Sequence, residues 1–159
     1  MREIMAFERP DGRVGLRNHV VVISMVSCSN TVVNRIAQAT GAIPITHEHG
    51  CVEFEEDHSR TKLALVSAGT SPNVYGVLLV GLGCEQTSMA DVKRAVESSG
   101  KPVEGILIQQ EGGSPEAEAR GIGIVRKLLA EADAQERVPC SAGGLVVGVQ
   151  CGGSDWTTA

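Results

Sequence analysis

At 159 residues, with 42% hydrophobic and 21% charged side chains, the chain has the length and composition of one globular domain with a sizeable core. A formal charge of −5 argues against nucleic-acid partners and an anionic membrane surface, which are held largely by clustered Lys and Arg, and 3% aromatic content leaves little for base stacking. No apolar stretch approaches the ~20 residues that cross a bilayer. The start is too polar for a signal peptide, so the five cysteines read as reduced thiols of a cytoplasmic protein.

Residues 1–18 hold too few apolar positions for an element and too many Gly and Arg for a passive tail. They are expected to wrap the rest of the chain, residues 19–159, as an ordered arm. Arg13 and Arg17, four apart in this arm, have the guanidinium forks that suit a carboxylate or phosphate, although a solvated surface pair fits their spacing equally well.

The apolar run His19–Met25 predicts a strand that ends at Ser27-Cys28-Ser29-Asn30. A helix is expected over Thr31–Ala39, and its amino terminus beside Asn30 would suit an anionic ligand. Ala42–Ile45 is the second strand and runs into Thr46-His47-Glu48-His49-Gly50-Cys51, the densest group of potential ligands in the chain. Imidazole is the commonest metal ligand and also titrates near neutrality, so His47 or His49 could hold a metal or act as a base. His19, at the start of a strand, and His58, on a helix, are read as structural.

Glu53–Ala68 predicts a charged amphipathic helix, closed by Gly69 and the Ser71-Pro72-Asn73 turn. The third strand, Val74–Val80, leads to Gly81-Leu82-Gly83-Cys84-Glu85, and a helix follows over Met89–Ser98. Val103–Ile108 is the fourth strand, ending at Gln109-Gln110-Glu111-Gly112-Gly113, and Glu116–Asp133 is a long helix. Leu145–Val149 is expected as a fifth strand, running into Gln150-Cys151-Gly152-Gly153-Ser154-Asp155.

This alternation predicts an α/β fold with a parallel sheet and helices on both faces, the strand order being open between the two common doubly wound arrangements. In such a sheet the carboxyl ends of the strands share one edge, where ligands bind. Cys28, Cys51, Cys84 and Cys151 each follow a separate strand, whereas Cys140 precedes the last one. A free Cys often packs as a small hydrophobe, but four at one edge weaken that reading. None has C-x-x-C spacing, so a metal or iron–sulfur centre would be assembled from distant loops. The first βα turn lacks G-x-G-x-x-G, which disfavours NAD.

Taken in order, residues 9–19, Cys28-Ser29, His47-Glu48-His49-Gly50-Cys51, Pro72-Asn73 with Gly81-Leu82-Gly83-Cys84-Glu85, residues 109–113 and residues 150–155 resemble the altronate dehydratase/galactarate dehydratase family. The likeness covers essentially the whole chain and implies the middle, Rossmann-like domain of such an enzyme, a three-layer doubly wound and mostly parallel five-stranded sheet. One departure is Val52-Glu53-Phe54, where many relatives have a small or polar residue after the Cys.

The resemblance implies a hydro-lyase that turns a sugar acid into a 2-keto-3-deoxy acid with a divalent metal, Fe(II) before Mn or an iron–sulfur centre. It also implies an N-terminal β-rich domain and a larger C-terminal catalytic domain beyond this chain, which alone should show no turnover, and it admits a homo-oligomer. Arg13, Arg17, Asn30, Gln110, Ser154 and Asp155 would bind substrate, His47 or His49 would be the base, and Cys28, Cys51, Cys84 and Cys151 would ligate metal. A sulfolactate sulfo-lyase relative, or a metal- or redox-responsive module without activity of its own, are the other readings.

Overall fold

The computed structural model describes residues 3–149, 152–153 and 156–157. Its centre is a parallel sheet built from β3 (His19–Ser24), β4 (Ile43–Ile45), β5 (Val74–Gly81) and β6 (Val103–Leu107), in the order β4-β3-β5-β6. The helices α1 (Asn30–Thr40), α2 (Glu55–Thr70) and α3 (Met89–Glu97) cross between the strands, the short α4 (Ile108–Glu111) caps β6, and α5 (Ser114–Asp133) follows it.

β3 and β5 read as unbroken apolar runs because both of their faces are buried, whereas β6 exposes Glu104. Val20 and Val22 of β3, with Leu78 and Val80 of β5, pack under α1 and α5 against Val33, Ile36, Val125 and Leu128. The alternate residues Val21, Ile23, Val77 and Leu79 pack under α2 and α3 against Leu65, Val92 and Val96. Helices on both faces of a parallel sheet are as expected. Fully burying each of these side chains contributes about 1.5–3 kcal/mol.

Helix α3 starts where Ser88 Oγ accepts the Asp91 N–H at 3.3 Å. Ser88→Ala removes that cap and is expected to lower stability by about 1 kcal/mol in urea unfolding, with the fold intact.

Two expectations are corrected. Residues 3–15 are not free of elements, because β1 (Glu3–Glu8) and β2 (Val14–Gly15) form a second, antiparallel sheet with β7 (Val138–Ser141), in the order β2-β1-β7. Leu145–Val149 is not a fifth strand of the parallel sheet. Leu145 makes an isolated bridge to Val14, and Val146, Val147 and Val149 are exposed. An apolar run signals burial but not its partner. Here β1, arriving from the far end of the chain, pairs with the segment after α5, and Ala6, Val14 and Cys140 bury a small core of their own.

The arm is fastened to the turn between α2 and β5, at the amino edge of the parallel sheet. Arg9 donates through Nε to Pro72 O at 2.8 Å, and Arg13 through Nη2 to Thr70 O at 2.7 Å. The backbone of Arg17 donates to Asn73 Oδ1 at 3.0 Å. Among the described residues no helix is long and apolar enough to cross a membrane.

Candidate active site

At the carboxyl edge of the sheet, four connections are knitted together by their backbones. The loop after β4 crosses the loop after β3, where Ser27 N–H donates to His49 O at 2.9 Å, and it receives the loop after β5 through Gln86 N–H to Gly50 O at 3.1 Å. The end of β6 joins through Gln109 N–H to Leu82 O at 3.1 Å. Beneath them, Ser29 Oγ donates to Val80 O at 2.8 Å and lies 2.8 Å from Ser24 Oγ, closing the space between the ends of β3 and β5. Within the loop after β5, Glu85 Oε2 accepts the Leu82 and Gly83 N–H groups at 3.1 and 2.7 Å.

The two histidines singled out by the sequence differ in availability. His47 Nδ1 accepts the His49 backbone N–H at 3.1 Å, so the proton of the neutral ring sits on Nε2, which reaches Ser24 O at 2.9 Å. Both of its nitrogens are committed to backbone. The His49 ring stacks on it with centroids 6.1 Å apart, and its side chain is 67% exposed.

Behind His49 stands a carboxylate the sequence did not single out. Glu53 Oε1 lies 3.7 Å from His49 Nδ1, an ion-pair distance and not a hydrogen bond, and accepts from Thr61 Oγ1 at 2.6 Å. The Glu53 side chain is 6% exposed, and its Oε2 is buried without a hydrogen-bond partner among the described residues. The Gln86 amide holds the Glu53 backbone from both sides, accepting its N–H at 2.8 Å and donating to its carbonyl at 3.1 Å.

The neighbouring residues turn the opposite way. Val52 has φ +52° and is 94% exposed, and Phe54 is 84% exposed. A β-branched residue in the left-handed region is strained, so the loop holds a carboxylate inside and apolar side chains outside against ordinary preference. Such an inversion marks a segment shaped for a ligand or a covering surface.

Two cavities of about 310 and 460 Å³ flank His49 and share Arg60 and Thr61 of α2 in their walls. Among the described residues Arg60 is held only by Glu56 and Asp57 of its own helix, at 3.9 and 3.7 Å, which leaves its fork available to an acid.

Cys28, Cys51 and Cys84 are exposed on the connections that follow β3, β4 and β5, and Cys140 is buried in β7, away from them. Among the described residues no three His, Cys, Asp or Glu side chains are grouped so as to hold a metal ion. These residues alone therefore do not fit the expected metal centre. Asn30 donates to His47 O at 2.9 Å and its Oδ1 is buried without a hydrogen-bond partner among the described residues, so it holds the histidine loop. Gln110 is exposed on α4. Cys151, Ser154 and Asp155 lie outside the described residues.

Arg13 and Arg17 stand at the other edge. Arg13 donates through Nε and Nη2 to Asp11 Oδ2 at 2.9 and 2.6 Å, and the two edges are separated by the eight residues of β5, roughly 23 Å at ~3.3 Å per residue. Within this chain they do not reach a ligand held at His49. Glu53, Arg60, Thr61 and Gln86 carried no local signal: Glu53 reads as the acidic first turn of a helix, and α2 in fact starts at Glu55.

Comparison with known proteins adds three observations. The sequence family described as D-galactarate dehydratase/Altronate hydrolase, second domain, matches residues 6–133. The chain is 32% identical to an altronate dehydratase of Bacillus subtilis and 30% identical to one of Escherichia coli, in each case over 97% of the chain and 33% of the relative. It is 33% identical to a (2R)-sulfolactate sulfo-lyase subunit beta of Chromohalobacter salexigens, over 99% of the chain and 40% of the relative. The chain thus spans between a third and two fifths of the length of these relatives. No solved structure matches it.

Proposed function

Because the chain belongs to the D-galactarate dehydratase/altronate hydrolase family, as its second domain, we propose that its carboxyl edge forms part of the active site of a sugar-acid dehydratase. The observation that carries this is His49, the exposed ring between two cavities with the buried Glu53 carboxylate behind its Nδ1.

In this reading His49 Nε2 takes the proton from the carbon α to the substrate carboxylate. The electron pair is held in an enediolate, the β-hydroxyl leaves as water with the proton that His49 Nε2 gives back, and the resulting enol becomes the 2-keto-3-deoxy acid. Glu53 keeps the imidazole oriented and supports its positive charge once the proton has arrived. Arg60 reaches for the carboxylate, whose charge grows in the transition state. The described residues do not assemble a place for a metal. The relatives' greater length supports further domains that complete the cleft.

The sulfo-lyase relative favours a second reading in which the same α-proton is removed and sulfite leaves the β-carbon. The enzyme carrying this chain, incubated separately with aldonates, aldarates and sulfolactate, is expected to form a 2-keto-3-deoxy acid from a sugar acid. Sulfite release from sulfolactate alone would select the second reading, and neither product from folded enzyme would overturn both.

A further inference from the structure

Arg9 of the arm and Lys101, just ahead of β6, are left over by any reaction at His49, and they are arranged in an unusual way. Each is 5% exposed, yet among the described residues neither is paired with a carboxylate. Arg9 donates to Pro72 O, Arg17 O and Asn18 Oδ1, at 2.8, 3.0 and 2.8 Å, and its Nη1 has no acceptor among the described residues. The Lys101 ammonium donates to the carbonyls of Ser71 and Val74, which leaves its third N–H without one. The nearby acid, Asp11, is held by Arg13.

Both cations line a cavity of about 470 Å³ at the amino edge of the parallel sheet, together with Tyr75, Gln135, Gly12 and Gly100. Gln135 Oε1 accepts from Asn18, which leaves its amide N–H groups as further donors. The acids at the rim are Glu8, which is exposed and also lines the cavity, and Glu131, which accepts the Tyr75 hydroxyl at 3.3 Å. Buried charges are ordinarily paired, and these two, hydrogen-bonded to neutral oxygens, with Arg9 also 5.5 Å from the centroid of the Phe7 ring, leave positive potential facing an open space. Burial first, then repulsion from Arg9 and Arg13 against the pull of Asp11, lowers the Lys101 pKa from 10.5 to about 8.

We propose that this cavity is a binding site for a small oxyanion, a phosphate or a carboxylate, held between the Arg9 guanidinium and the Lys101 ammonium. It lies across the length of β5 from His49, so its ligand acts on the fold and its arm and does not meet the reacting atoms. The inference does not depend on the reaction proposed above.

The test is carried out on the protein with inorganic phosphate, malonate and chloride at matched ionic strength. Phosphate or malonate is expected to raise the melting temperature in a saturable way that chloride does not reproduce. Saturation is also expected to raise the Lys101 titration midpoint, followed by NMR of its side-chain carbons, by about one unit, tenfold in proton affinity.

The sign follows from linkage. Lys101 titrates near 8 when folded and near 10.5 when unfolded, so without ligand stability should climb as pH rises through that window, and the bound anion should flatten the climb. A response to phosphate alone identifies a phosphate site, and one to malonate alone a carboxylate site. Lys101→Met should abolish either, and if that variant does not fold the wild-type titration decides by itself. Melting and Lys101 midpoints unchanged from chloride with both anions would overturn the proposal.

Discussion

His49→Gln is expected to lower kcat of the enzyme carrying this chain by roughly 10²- to 10⁴-fold, the range of a lost general base, while leaving its melting temperature nearly unchanged. The availability of the ring nitrogens decides this. The His49 side chain is 67% exposed, with Glu53 behind Nδ1 and the cavities in front. Its removal breaks no hydrogen bond of the side chain to the loops. His47→Ala is expected to do the reverse. It deletes the links to Ser24 O and to the His49 N–H, the first from a half-buried site, at a stability cost of about 1–3 kcal/mol. Activity and thermal unfolding measured in parallel on both variants separate the two roles. His49→Gln with kcat within threefold of the parent would remove His49 from the chemistry, and equal loss of kcat in a fully stable His47→Ala would move the base to His47.

The pair also shows where sequence stops being informative. Two histidines two residues apart after a strand are equivalent as text, and only the path of the loop, which brings the His49 N–H onto His47 Nδ1, makes one structural and leaves the other available. The parallel strands β3 and β5 were legible because burial on both faces leaves an unbroken apolar signature, and the carboxyl-edge loops followed from them. Strand β1 was not legible, since Ala6 is its one fully buried residue and its partner β7 lies more than 130 positions away. Such pairing leaves no local periodicity.

The arginines of the arm are ambiguous for a related reason. A guanidinium fork suits a ligand carboxylate and an intramolecular one equally well, and Arg13 found Asp11 two residues away. Arg9 and Lys101, whose charges meet no such partner, came together only through the fold. Glu53 was hidden because acidic residues at a helix start are ordinary, and nothing in Val52-Glu53-Phe54 announces that the charged residue turns in while the apolar ones turn out.

Gly50→Ala is expected to destabilise the protein by about 3 kcal/mol, the sum of a left-handed backbone penalty of roughly 1–2 and an overpacking term of roughly 1–3. Gly50 has φ +101°, and a Cβ there would lie 2.7 Å from Met25 O and 2.9 Å from Val26 Cα, backbone atoms that cannot rotate away. Relief requires the loop after β4 to lift from the loop after β3, which pulls on Ser27 N–H to His49 O on one side and on Gln86 N–H to Gly50 O on the other. A melting point lower by about 6–12 °C is expected for a chain of this size. The enzyme should also lose activity well below that temperature, because His49 and Glu53 ride on the displaced segment. Gly123→Ala is the control: it lies inside α5 with no heavy atom within 4 Å of the added Cβ, and is expected to raise stability by up to about 1 kcal/mol. If Gly50→Ala melted with the parent and kept its kcat, the close crossing of these two loops would not be what holds His49 in place.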